Sequence, residues 1–279
     1  MPQRYSYHKI DHADRIGFDP ADYSRFKFGD DAIARRFGTE LATGFISEVL
    51  SQEDPGQVVV IPSPYAFIPT ATFAMKTYFV HVLNSWLAVS GYQVVQEAKV
   101  HRTVTYKEDY GELDAGERKR LIGNDSFHID KAFVEGKTLV FLDDIRITGS
   151  HEWMIRKMID TFGLNNRIYL LYYAELMNNQ IHPRIENDLN YAAVKSIFDL
   201  EPIIRGRFAF NTRFVKYVLN TDPSVFAAFI GGQDEEFIET LYHLAVGNGY
   251  HAIDAYAGNL AFIRTHYLHN SKQTQIHGN

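Results

Sequence analysis

Three short runs in this chain are apolar at consecutive positions instead of alternate ones: Val58-Val59-Val60-Ile61, Thr138–Leu142 and Ile168–Tyr173. Side chains of a strand point alternately to its two faces, so a strand apolar throughout must be covered on both. A parallel sheet flanked by helices meets that condition. Segments of helical spacing lie between the runs. Ile33, Phe37, Leu41 and Phe45 recur along Asp30–Ser51, a long helix is expected over Thr70–Ser90 with Gly91 closing it, and another over Ser150–Phe162 with Gly163 beyond. Tyr92–Val100 adds a further expected strand. The pattern predicts a doubly wound α/β fold.

After Asn178 the texture changes. Pro183–Val194, Thr212–Leu219, Ser224–Ile230 and Glu235–Asn248 have the spacing of short helices, divided by Pro202, Pro223 and Gly231-Gly232. The expected organisation is an N-terminal extension over 1–29, an α/β core over 30–178 and a helical region over 179–279 packed on that core.

Several classes of protein are disfavoured by composition. With no cysteine there is neither a disulfide framework nor a thiolate metal site. A net charge of −6 without a basic arm argues against bulk nucleic-acid binding. The N-terminal residues lack an apolar signal core, and Lys76, His81, Asn84 and Ser85 interrupt the longest apolar stretch, Tyr65–Val89. A soluble cytoplasmic protein with no membrane partner is expected.

The chemistry concentrates where the second apolar run ends. Thr138–Leu142 delivers Asp143 and Asp144 to a strand's C-terminal end, where ligands of open α/β sheets sit. Ile145, Arg146, Ile147, Thr148, Gly149 and Ser150 then lead into a helix. A helix N-terminus with glycine and hydroxyl residues suits a phosphate, because its free N–H groups and its dipole favour negative charge. The two aspartates would repel that phosphate. Their natural partners are sugar hydroxyls or a hydrated Mg²⁺, and a ribose 5-phosphate satisfies cradle and acids together. Acid-tipped strands also hold Mg²⁺ in receiver-like and hydrolase folds, so spacing alone leaves both alternatives open.

Val140–Ser150 resembles the phosphoribosyl diphosphate (PRPP) signature of type I phosphoribosyltransferases: an apolar run, two acids, two variable residues, then a Thr-Gly turn. Glu117-Arg118, Asn124, Phe127 and Phe133–Lys137 resemble the ComF-like branch. The size and helical tail are similar to members that bacteria associate with tellurium-resistance and stress gene clusters. The resemblance implies the type I fold, a mainly parallel doubly wound sheet, with an added C-terminal helical region. It also implies transfer of ribose 5-phosphate between diphosphate and a nitrogenous base, with PRPP or a nucleoside monophosphate as ligand and Mg²⁺ as cofactor. Type I relatives often pair through sheet-flanking helices, so a homodimer is among the implied assemblies.

By the same resemblance Asp143 and Asp144 hold the ribose hydroxyls, with any metal contact indirect, and Ile145–Ser150 hold the 5-phosphate. Ser63, Pro64 and Tyr65 sit at the diphosphate loop. Arg102, grouped with the two aspartates as catalytic, and Lys107 flank the flexible hood. The chain departs from the family at Ile147, where a threonine is usual, and at Ser150-His151. A catalytically weak PRPP or nucleotide sensor therefore stands as the alternative, and a Mg²⁺-dependent phosphohydrolase using Asp143 as nucleophile behind it. Aromatics in Tyr23–Phe28 or in the C-terminal helices are the candidate base-stacking groups, whereas Phe208, Phe210, Phe214 and Tyr217 are expected in the core.

Overall fold

A computed structural model describes residues 2–103 and 126–268. In chain order its first part runs β1 (Gln3–Ile10), α1 (Pro20–Lys27), α2 (Asp31–Glu48), β2 (Val58–Pro62), α3 (Ala71–Val89), β3 (Gln96–Glu97), β4 (His101–Thr103), β5 (Ser126–His128), α4 (Lys131–Val134), β6 (Thr138–Arg146), α5 (Ser150–Phe162) and β7 (Ile168–Leu176). The helical part follows as α6 (Ile185–Asn190), α7 (Glu201–Ile204), α8 (Thr212–Leu219), α9 (Pro223–Ile230), α10 (Glu235–Gly247) and α11 (Asp254–Ile263).

The three all-apolar runs are the centre of one parallel sheet of order β1-β7-β6-β2-β3. Every residue of β2 and β7 is buried, as burial on both faces requires. One face packs Val58, Val60, Val140 and Leu171 against α2 and α3 through Phe37, Leu41, Phe45 and Phe79. The other packs Val59, Leu139, Phe141 and Leu170 against α5 through Met154, Ile155 and Met158. The alternation of neighbouring residues between these two clusters is the period-two geometry of a strand. β4 and β5 form a separate antiparallel pair.

Several elements differ from the sequence expectation. Gln3–Ile10 does not form a separate extension: it is an edge strand of the main sheet, parallel to β7 from Gln3↔Tyr169 to Ile10↔Leu176. The strand expected over Tyr92–Val100 shrinks to Gln96–Glu97. Side chains occupy the backbone before it, since Asn84 Oδ1 accepts from Val95 N–H at 2.7 Å and Gln57 donates to the Val94 carbonyl at 2.9 Å. The run Thr138–Leu142 continues as strand to Arg146, because β7 pairs alongside through Asp143↔Tyr172 and Arg146↔Glu175. The helix expected over Pro183–Val194 is confined to Ile185–Asn190, and α11 had no counterpart in the sequence pattern.

The C-terminal helices build a second core around Phe214, Phe226, Phe229 and Leu241, into which Phe28 and Ile68 insert from the α/β part. Backbone bonds join the two regions, Asp31 N–H to the Arg207 carbonyl at 2.8 Å and Thr212 N–H to the Pro69 carbonyl at 2.9 Å. Among the described residues no helix is long and apolar enough to cross a membrane.

Candidate functional site

The end of β6, the end of β2 and the start of α5 enclose a cavity of about 340 Å³ lined by Ser63, Pro64, all residues from Asp143 to Glu152, and Lys27, Thr70, Thr72, Phe127, Met154, Tyr172 and Glu186. The turn into α5 depends on Gly149, the helix N-cap, whose φ is +73°. A Cβ there would come within 2.8 Å of Arg146 Nη2, the far end of a long side chain, so it is the left-handed backbone that calls for glycine. Ile147 turns into the core while Thr148 stands exposed, its hydroxyl 2.8 Å from that of Ser150. The helix thus presents its first N–H groups and two hydroxyls to the cavity, an arrangement suited to an anion.

The two aspartates have different partners, because consecutive strand residues point to opposite faces. Asp143 accepts from Ser63 Oγ at 2.6 Å and pairs with His151 Nδ1 at 2.7 Å. Burial alone would raise its carboxyl, but the His151 charge and hydrogen bond, the Ser63 hydroxyl and Lys27 hold it well below the usual carboxylate range. Asp144 is buried. It accepts from the Tyr23 hydroxyl at 2.7 Å, pairs with Lys27, and lies 3.3 Å from Thr72 Oγ. Asp143 therefore faces the α5 side of the site, and Asp144 anchors α1 against the sheet. The resemblance had given both the same ribose-binding role.

Arg146 was expected in the loop, and it sits at the last position of β6. Its guanidinium contacts Glu152 at 2.6 Å and Glu175 at 3.2 Å. Arg4 bridges the same two glutamates and Arg156 joins Glu152. Burial opposes ionisation of Glu152, but hydrogen bonds from Arg4, Arg156 and Arg146 bring its pKa down to about 2. Three arginines against two carboxylates leave net positive charge under the helix N-terminus.

Ser63 and Pro64, the expected diphosphate loop, line the cavity; Pro64 has no N–H to donate and the Ser63 hydroxyl is directed at Asp143. Tyr65 packs edge-on against Phe73 at 5.3 Å, under the Lys99 ammonium. The backbone of Arg102 pairs with Phe127 in the β4–β5 ribbon. The Arg102 side chain and all of Lys107 lie outside the described residues, as do Glu117, Arg118 and Asn124.

Three groups gained importance only in the structure. Lys27 lies inside the aromatic segment Tyr23–Phe28, and its sequence context gives it no role of its own. In sequence His151 is only a departure from the family pattern. The Tyr172 hydroxyl, opposite Asp143 in the β6–β7 register, is buried without a hydrogen-bond partner among the described residues, and burial pushes its phenol far up, so it remains a donor. No sequence signal marks Tyr172, since it falls in an ordinary buried strand.

Magnesium does not find a direct site here. Both carboxylates are engaged by cations and hydroxyls, and among the described residues no three His, Asp or Glu side chains cluster at metal-binding spacing.

An all-parallel sheet whose acid-tipped central strand turns through glycine into a helix is an open α/β fold with its candidate site at the carboxyl ends of the strands. More closely, the sequence model of the ComF-like phosphoribosyltransferases (PRTase ComF-like) matches residues 1–263, and the chain belongs to that family. Solved structures to which it is similar include an adenine phosphoribosyltransferase from Thermoanaerobacter pseudethanolicus, at 16% identity over 57% of this chain and 76% of that one, with a TM-score of 0.31. A hypoxanthine phosphoribosyltransferase from Staphylococcus aureus is similar at 9% identity over 52% and 75%, also with a TM-score of 0.31. No curated protein matches the chain.

Proposed function

We propose that the protein binds PRPP, or the corresponding nucleoside monophosphate, and transfers ribose 5-phosphate between diphosphate and a nitrogenous base. The observation that carries this reading is the meeting, in one cavity, of a glycine-opened helix N-terminus with the ionised carboxylate of Asp143. The N–H groups and hydroxyls of Ile145–Ser150 take the 5-phosphate, over the net positive arginine–glutamate network. Asp143 accepts from a ribose hydroxyl.

In the transfer, the C1–O bond to diphosphate breaks and its electron pair leaves with the diphosphate. A lone pair on the base nitrogen forms the new C1–N bond, and any proton on that nitrogen passes to diphosphate or water. Positive charge develops on the ribose ring meanwhile, and a carboxylate held ionised beside it lowers that barrier. Asp144 acts one step back, holding Lys27 at the mouth of the cavity. Diphosphate contacts fall to the Ser63 and Tyr65 N–H groups, with Arg102 and Lys107. Magnesium bound to the diphosphate would neutralise charge on the leaving group.

A nucleotide sensor is the second reading, favoured by Pro64 and Ile147, each of which removes a donor. The hydrolase alternative, with Asp143 as nucleophile, predicts turnover of phosphomonoesters without PRPP. The test is calorimetric titration of PRPP with Mg²⁺ into the wild-type protein and Asp143→Ala. Micromolar binding that weakens at least tenfold in the variant is expected, the loss of one charged hydrogen bond being worth about 1.5–3 kcal/mol. Absence of PRPP binding by the wild type sinks the proposal. Diphosphate release on adding a base separates enzyme from sensor.

A further inference from the structure

A second cavity, about 250 Å³, opens beside the first and shares Lys27 and Thr70 with it. One wall is a stripe of α8. Thr212, Arg213, Lys216, Tyr217 and Asn220 follow one another at helical spacing on the face opposite Phe214, Val215 and Val218, which are buried in the C-terminal core. The α8 stripe thus carries two cations and a phenol into a space next to the ribose-phosphate cradle.

The charge there runs against the rest of the molecule. The chain carries −6 overall, yet among the described residues this cavity is lined by three basic residues and no acid. Lys27 is neutralised by Asp144. Arg213 and Lys216 have no carboxylate partner among the described residues, whereas Arg4, Arg25, Arg36, Arg146 and Arg156 are all ion-paired. Two half-buried cations without counter-ions call for an anion.

The remaining wall is aromatic. Tyr191 and Tyr217 lie with centroids 6.0 Å apart, both braced against the buried Phe28 ring, and the Arg213 guanidinium stands 5.8 Å from the Tyr191 centroid. Thr70, shared by both cavities, has a buried hydroxyl without a hydrogen-bond partner among the described residues. A planar ring can lie on such a wall, which a bare inorganic anion does not use. The volume falls under the roughly 300–1,000 Å³ of pockets for drug-sized ligands, so it suits one small heterocycle.

We infer that this cavity is the acceptor pocket, and that it takes a planar nitrogen heterocycle bearing an acidic group. The acid is held by Arg213 and Lys216, and the ring lies against Tyr191 and Tyr217 with its nitrogen toward the neighbouring cradle. This rests on the phosphoribosyl-transfer reading, and the bond changes are those given above.

The test titrates the full chain with two pairs of probes that differ in acidity, nicotinate against nicotinamide and orotate against uracil, together with PRPP and inorganic diphosphate. At least one acid binds about tenfold more tightly than its neutral counterpart, as a guanidinium–carboxylate contact requires. Arg213→Gln/Lys216→Gln removes that preference and leaves PRPP affinity within about twofold. Should the double variant fail to fold, added salt on the wild type gives the same discrimination, weakening the acid and sparing the neutral probe. If PRPP binds but no acid is preferred, the acceptor inference is overturned. It is overturned equally if diphosphate is the ligand that the double variant loses. Failure of PRPP itself to bind is a separate result, against the transfer reading.

Discussion

Replacing Lys27 by methionine keeps the length of the side chain and removes its charge, leaving the Asp144 carboxylate buried without its cation. The Lys27 side chain is 14% exposed and that of Asp144 7%. Deleting one member of a buried pair typically costs ~3–5 kcal/mol, because the other charge stays out of water unpaired. Tyr23 and Thr72 still reach Asp144 and soften the loss, which puts the expected value at about 3 kcal/mol. At ~2–4 °C per kcal/mol for a chain of this size, the melting temperature falls by about 6–12 °C. The companion variant Asp144→Asn retains a hydrogen-bond acceptor for Tyr23 and leaves Lys27 near enough to solvent to hydrate. The double variant removes both charges and should recover most of the lost stability, giving a coupling of about 2 kcal/mol in a double-mutant cycle. Urea melts of the four proteins at neutral pH, in low and high salt, supply the measurement. A buried pair is screened little, so the coupling persists in high salt. Additive single effects, or a Lys27→Met loss under about 0.5 kcal/mol, would refute the assignment of Asp144 as an anchoring group.

Two further outcomes are expected. The Glu152 carboxyl is depressed from 4.5 to about 2 in the folded chain, so its contribution is complete above about pH 4.5 and is lost as pH falls toward about 2. At ~1.4 kcal/mol per pKa unit, discounted for solvent around its arginines, the contribution is about 1–2 kcal/mol. Urea melts of wild type and Glu152→Gln should therefore differ at neutral pH and converge in acid, and a gap that persists at the acid end contradicts the network. His151→Gln keeps a hydrogen-bond donor to Asp143 and deletes the charge. The Asp143 pKa then rises, so PRPP binding is lost at a higher pH than in the wild type; superimposable pH profiles of PRPP affinity for the two proteins would show that His151 does not hold Asp143 ionised.

Much of the architecture was legible in the order of residues. Apolar runs without alternation located β2, β6 and β7. α8 spans Thr212–Leu219 and α5 spans Ser150–Phe162 with Gly163 as its C-cap, both with the bounds that spacing and glycine placement predict. The candidate cradle was equally visible, since a phosphate-suited turn is local: Thr148, Gly149 and Ser150 are contiguous, and the strand before them and the helix after them follow from period and capping. Such signals arise from neighbours within about four residues, where backbone preference and side-chain spacing act directly.

What the sequence by itself determined about this protein is therefore a set of elements and one turn, together with the family resemblance they carry. Tertiary structure decided how the charges in and around that turn are spent. Gln3–Ile10 alternates too weakly to announce a strand, and it becomes one because β7 offers an open edge. Asp143 and Asp144 look equivalent in sequence, yet one reaches His151 eight residues away and the other reaches Lys27 at a separation of 117. Arg146 resembles a free cation until Glu175 arrives from the adjacent strand, while Arg213 and Lys216 resemble any exposed helix face until Lys27 and Thr70 close the space opposite them. Ionisable side chains have no periodicity that reveals their partners. Each partner is set by which chain segments the core packs together, and only the folded molecule specifies that.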